Sequence, residues 1–202
     1  MKQIQAKINL NIIILFTFLF LFFSLSSKAV NINEFQIEGI SLGNSLLDYY
    51  TENQINNVYE YKYKHDKFRY YVFELKEKSN YDYLQITTKT NSQYIIHGIA
   101  GVSICNVNIE ECYKKQQEIK TDLDNFFKIE AIKKNGKHSM DDTGNSIWTS
   151  YKYYISDNDY AEAEIMVYDN SDSFVNDGFW DSTQVMINSP ELLIFINTEA
   201  WK

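Results

Sequence analysis

Phe68-Arg69-Tyr70-Tyr71-Val72-Phe73-Glu74-Leu75-Lys76, the segment Tyr81 to Thr88, and the run from Gln93 to Cys105 decide the fold. The first is dense in aromatic and β-branched side chains. The second alternates apolar with polar, and the third is apolar with Gly98 and Gly101 interrupting it. Such composition and period predict strands, because a pleated half-buried surface favours these side chains. The breaks at Lys78-Ser79-Asn80 and Thr90-Asn91-Ser92 have hairpin length, so the sheet is expected to be antiparallel.

Downstream, Asn108 stands three residues before Glu111, a capping-box spacing that opens a helix. Ile109, Cys112, Ile119, Leu123 and Phe126 recur along its apolar face, while Lys114, Lys115, Glu118 and Lys120 face water. Asn135 to Asn145 is polar, with Asn135-Gly136 and Thr143-Gly144 as turn signals, and reads as a loop. Strands resume at Ile147 to Ile155, Tyr160 to Tyr168 and Thr183 to Asn188. Ser189-Pro190-Glu191 then starts a closing helix that buries Leu192, Leu193 and Ile196. Upstream of the first strand, Ile37 to Asn57 reads as a short entry and a helix, capped by Ser41 or Asn44, with Leu46, Leu47 and Tyr50 as its stripe. The expected class is α+β: antiparallel sheet with helices, arranged as two tandem α-β-β-β halves, 37–105 and 106–202, and a C-terminal helix.

The N-terminus carries an address. Lys2 and Lys7 precede an apolar run from Ile12 to Phe23, and Ser27-Lys28-Ala29 supplies small residues for a cut. This is the plan of a signal peptide spanning 1–29, with a mature α+β domain at 30–202. The run is shorter than the roughly 20 apolar residues of a bilayer span, so no stable membrane insertion is expected after cleavage. The chain has 202 residues, and with Lys2, Lys7 and Lys28 removed and all 27 acidic residues retained, the mature net charge is −11. A phosphate backbone would be repelled, which argues against nucleic-acid partners.

Cys105 and Cys112 both fall in the exported part, and an oxidising compartment would join them across the junction of strand and helix. Two separate buried thiols are the alternative. Zinc is poorly supported, since the spacing is wrong and no histidine is near in sequence. His65 and His97 are scattered, and His97, in an apolar strand, reads as a core or edge residue. His138 shares a polar loop with Asp141, Asp142, Thr143 and Ser146, an acid, a base and hydroxyls of the kind a hydrolytic site uses. The simpler reading of such a loop is solvation. No nucleophile elbow, zinc-protease helix, phosphate loop or dinucleotide fingerprint is present in the sequence. Asp169-Asn170-Ser171-Asp172-Ser173, with Asp177 and Gly178, offers oxygens that suit calcium, but lacks the spacing of an EF-hand. It reads as an Asx-rich turn, with Phe179 and Trp180 expected to fold back onto the sheet.

The segment Phe35-Gln36-Ile37-Glu38-Gly39-Ile40-Ser41-Leu42-Gly43-Asn44-Ser45-Leu46-Leu47-Asp48-Tyr49 resembles the start of a group of uncharacterised exported proteins from AT-rich bacteria. Ile109-Glu110-Glu111-Cys112-Tyr113 and the loop from Asp142 to Ser146 look like the same group. The Gly39-Ile40-Ser41 entry before antiparallel strands is more distantly similar to the envelope domains of the outer-membrane assembly lipoprotein SmpA and of β-lactamase inhibitory protein. Val30 follows the cut where a lipidated cysteine would stand, so a periplasmic or secreted protein is expected, not a lipoprotein. The leading expectation is a non-enzymatic binding or structural module of the envelope, without cofactor or metal, whose partner is an envelope protein or a small ligand. The alternative is a small hydrolase using the His138 and Asp142 loop.

Overall fold

A computed structural model describes residues 32–76, 79–90, 92–105, 108–138, 141–155, 162–176 and 179–200, all within the compact unit Asn31–Lys202. The expected signal segment lies outside the described residues. Eight strands form one sheet in the order β1-β2-β3-β4-β8-β7-β6-β5, and every neighbouring pair is antiparallel. They are β1 (Tyr59–Lys62), β2 (Phe68–Glu74), β3 (Tyr83–Lys89), β4 (Ile96–Ile104), β5 (Ile132–Lys137), β6 (Ile147–Tyr154), β7 (Glu162–Asp169) and β8 (Ser182–Asn188). Among the described residues four α-helices accompany them: α1 (Glu52–Asn56), α2 (Ile109–Phe127), α3 (Asp172–Asn176) and α4 (Pro190–Thr198). The chain therefore runs as two four-strand meanders, each followed by a helix, joined along their last strands β4 and β8.

Antiparallel partners share a face of the sheet and alternate residues change face. The register puts Tyr71, Phe73, Leu84, Ile86, Ile99, Val185, Ile165 and Tyr153 on one face, where all are buried. Helix α2 covers the half over β6 to β8. Its Asn108 cap accepts from the Glu111 amide at 3.1 Å, and Cys112, Gln116, Leu123 and Phe127 form its buried stripe. Gln116 takes a place expected for an apolar residue, and its Nε2 donates to the backbone oxygens of Thr149 at 2.8 Å and Ile165 at 3.4 Å. Tyr153 donates through its hydroxyl to Asp124 at 2.8 Å, tying β6 to the helix. Phe126 is not in the stripe: it is exposed, one position off the buried face, and packs edge-on against Phe35 at 5.6 Å.

The N-terminal segment covers the other half of that face. Ile37, Ile40, Leu42, Leu46 and Ile55 are buried, Gly43 donates to the Ile96 carbonyl at 2.9 Å, and Tyr50 stacks on Phe73 at 4.1 Å. It is not the single helix expected over Ile37 to Asn57. Ser45 and Thr51 each build a capping box, with Asp48 and Gln54, so a 3-10 turn (Leu46–Asp48) and α1 form separately. Two caps six residues apart restart a helix where one would have propagated it.

The polar stretch beginning at Asn135 is also a correction. Strand β5 runs through Asn135-Gly136, and the turn lies between Lys137 and Ile147. Gly136 is there for close approach: a Cβ would lie 2.7 Å from the Trp148 ring. Strand β1 was not expected at all, since Tyr59-Glu60-Tyr61-Lys62 is short and lies at the sheet edge.

Candidate functional site

The opposite face of the sheet carries a different set of side chains. Successive cross-strand rows read Tyr59, Val72, Gln85, Ala100 and Met186, then Tyr83, Val102 and Gln184, then Tyr70, Thr87, Gly98 and Asn188. Small residues on β4 lower the centre of this face, and taller aromatic residues stand at its margins. The result is a concavity of about 960 Å3, bounded at one end by Leu192 and Ile196 of α4 and at the other by Phe179 and Trp180. That volume lies within the range of small-ligand sites.

Helix α4 is seated by its own sequence. Ser189 caps it, accepting from the Leu192 amide at 3.3 Å, with Pro190 at the first turn. Leu192 and Phe195 are buried with Phe68, whose ring lies 5.0 Å from that of Phe195. Gly98 permits this approach, because a Cβ there would lie 2.5 Å from Leu192 Cδ2. At the other end, Phe179 stacks flat on Phe174 at 4.1 Å, yet stays 38% exposed, and Trp180 is 52% exposed. These two rings rim the concavity, which corrects the expectation that they fold back onto the sheet. Asn170 holds their backbone, donating through Nδ2 to the carbonyl oxygens of Phe179 at 3.3 Å and Trp180 at 2.9 Å.

The sequence-derived candidates divide. Cys105 and Cys112 form a disulfide with Cα atoms 5.7 Å apart, pinning the end of β4 to the first turn of α2. His138 lines the concavity, its ring 4.8 Å from that of Phe174 and 5.2 Å from that of Tyr168. Burial among these rings lowers the His138 pKa, with Asp141 opposing. Asp141 is a turn organiser: it accepts from the hydroxyls of Ser146 at 2.5 Å, Thr143 at 2.7 Å and Ser171 at 3.1 Å, and from the Ser146 and Thr143 amides. These bonds, from Ser146 above all, hold its carboxyl well below the usual range. Ser146 is buried in the same knot, and Asp142 is exposed. Among the described residues no group of three or more His, Cys, Asp or Glu could hold a metal ion. Asp177 and Gly178 of the acidic loop lie outside the described residues.

Beside the concavity, on β6 and β7, Lys152 lies 2.9 Å from Glu162 and 3.0 Å from Glu164. Both carboxylates are buried. Burial raises the Glu164 pKa against the pull of Lys152. Burial likewise pulls Lys152 down, but the two carboxylates outweigh it and keep its ammonium above the ordinary value.

Sequence reasoning missed Gln85, Gln184 and Asn188. In an alternating strand a polar side chain reads as solvent-facing, and only the ladder of β3, β4 and β8 gathers these three on one hollow surface. Among the described residues no helix is long and apolar enough to cross a membrane. No protein-family model, curated protein or solved structure matches this chain.

Proposed function

We propose that this chain is an exported, non-enzymatic binding module of the periplasm or cell envelope that takes its ligand on the concave sheet face. One observation carries the reading: a hollow of about 960 Å3 on a sheet face, with aromatic rings at the rim and side-chain amides in the floor. Export is supported by the basic, apolar and small-residue plan of residues 1–29, and by the Cys105–Cys112 bridge, which suits an oxidising compartment. The likeness to exported envelope proteins and the division into halves 37–105 and 106–202 belong to this proposal, and the latter is supported by each half contributing four neighbouring strands to the sheet.

The hydrolase alternative draws only on His138 lining the hollow. The oxygens of Asp141 are taken up by turn hydroxyls and amides, and Asp142 is exposed, which favours a structural role for this loop.

The test uses the full chain expressed with export. Its secreted form should begin at Val30 by N-terminal sequencing. Immobilised on beads, it should retain a component of the native envelope extract, and Ala100→Arg, which fills the floor of the hollow, should abolish retention while leaving the fold intact by circular dichroism. Retention that ignores Ala100→Arg refutes the concave face as the binding surface.

A further inference from the structure

The concave face has a chemistry that narrows its ligand. Gln85, Gln184 and Asn188 are half-buried and line the hollow, and their side-chain amides carry no hydrogen bond within the chain among the described residues. Each amide offers two donors and two acceptor lone pairs in one plane. Around them stand rings with open surface: Tyr59 is 62% exposed, and Trp180 and Phe179 lie at the far rim. The described lining contains no Lys, Arg, Asp or Glu, and His138 is its one titratable group apart from tyrosines.

Each feature removes a ligand class. Without a cation in the lining, an anionic ligand such as a phosphate ester or an acidic peptide has nothing to pair with. Without a carboxylate, a cationic ligand is no better served. A purely apolar ligand would strip water from three amides and give nothing back. A peptide that binds as an added strand needs an open edge, and the floor here is the face of β3, β4 and β8, whose backbone groups already pair with one another. What remains is an uncharged molecule with flat apolar patches and many hydroxyls. The lining runs from Tyr59 on β1 to Tyr168 on β7, a span of six adjacent strands or roughly 24 Å, which suits a row of rings better than a single one.

We propose that the concave face binds a neutral oligosaccharide, with ring faces of the sugar stacked on Tyr59, Tyr83 and Trp180 and its hydroxyls paired to Gln85, Gln184 and Asn188. The assignment rests on the binding-module reading and is tested separately from it. The full chain, expressed with export, is offered cellohexaose, laminarihexaose, chitohexaose and mannohexaose by titration calorimetry, and a neutral glycan array. Tryptophan fluorescence, compared with Trp180→Phe to subtract Trp148 and Trp201, reports contact at Trp180. At least one neutral glycan should bind. Gln85→Ala and Gln184→Ala should each weaken it about two- to tenfold, the scale of one hydrogen bond. Ala100→Arg should abolish binding, and Glu118→Gln on α2 should leave it unchanged. Melting curves for each variant separate lost binding from lost fold. Binding that is indifferent to both glutamines overturns the assignment, as does a blank panel. A blank panel with an envelope protein still captured through the face, and lost in Ala100→Arg, overturns the glycan while sustaining the module. Capture that ignores Ala100→Arg removes both.

Discussion

Removing the disulfide is the perturbation whose size follows most directly from the structure. Cys105 and Cys112 are seven positions apart, so the bridge closes a loop of about 8 residues. In the chain-entropy treatment, a loop of that size stabilises the fold by roughly 2.5 kcal/mol at 25 °C, by restricting the unfolded chain. The bridge also fixes the first turn of α2, whose Cys112 carbonyl accepts from Thr183 Oγ1 at 2.9 Å on β8. For a domain of this length each kcal/mol moves the thermal midpoint by about 2–4 °C, so Cys105→Ala with Cys112→Ala should lower it by roughly 5–10 °C. Thermal melts followed by circular dichroism, without reductant, measure this. Adding a strong reductant should bring the wild-type protein close to the double variant and leave the variant unmoved. The reasoning is refuted if the double variant melts within about 1 °C of wild type, because the tether then restricts nothing in the unfolded state. It is equally refuted if both thiols of denatured, unreduced wild-type protein take up an alkylating label.

Gly98→Val places methyl groups where a Cβ alone would lie 2.5 Å from Leu192 Cδ2 and 2.8 Å from Asn188 Oδ1, so these side chains or α4 must shift; about 1–3 kcal/mol of stability should be lost, read as a lower urea midpoint. Asp141→Asn should flatten the acid limb of stability. The folded-state pKa of Asp141 lies below its unfolded value, so its contribution is present above about pH 4 and is lost as pH falls toward the folded pKa, and midpoints at successively lower pH should fall less steeply in the variant. His138→Phe should act near neutrality. A histidine whose folded pKa is lowered by burial binds fewer protons folded than unfolded, so stability falls as pH drops through about 6.5. The variant should lose part of that slope, with His97, also lowered by burial, supplying the remainder; an unchanged slope between pH 7.5 and 5 would place His138 in water, not among Tyr168 and Phe174.

The periodic strands and both long helices were legible because each carries its signal locally. Phe68, Tyr70 and Val72 point to one face and Tyr71 and Phe73 to the other, and Ser189-Pro190 announces α4 without help from the rest of the chain. Strand β5 was hidden because Gly136, read as a turn residue, serves the Trp148 ring across the ladder, and that need is visible only once β5 and β6 are paired. The concave face was hidden for a deeper reason. Alternation tells which residues share a face, but not which face a helix will cover; that depends on where the N-terminal segment and α2 come to rest. Gln85 and Gln184 look like ordinary surface residues in their own strands. They come to share the floor of one hollow only because β4 and β8, the last strands of two meanders, lie side by side with Ala100 opposite Met186 and Val102 opposite Gln184. The small side chains of β4 then decide the depth of the hollow, and enlarging Ala100 tests that step by itself. If the floor sets the site, Ala100→Leu should weaken glycan binding, and because Ala100 is only 9% exposed between Gln85 and Met186, the melting curve separates a filled hollow from a strained floor: binding lost with a midpoint near wild type assigns the effect to the hollow, and binding unchanged refutes it.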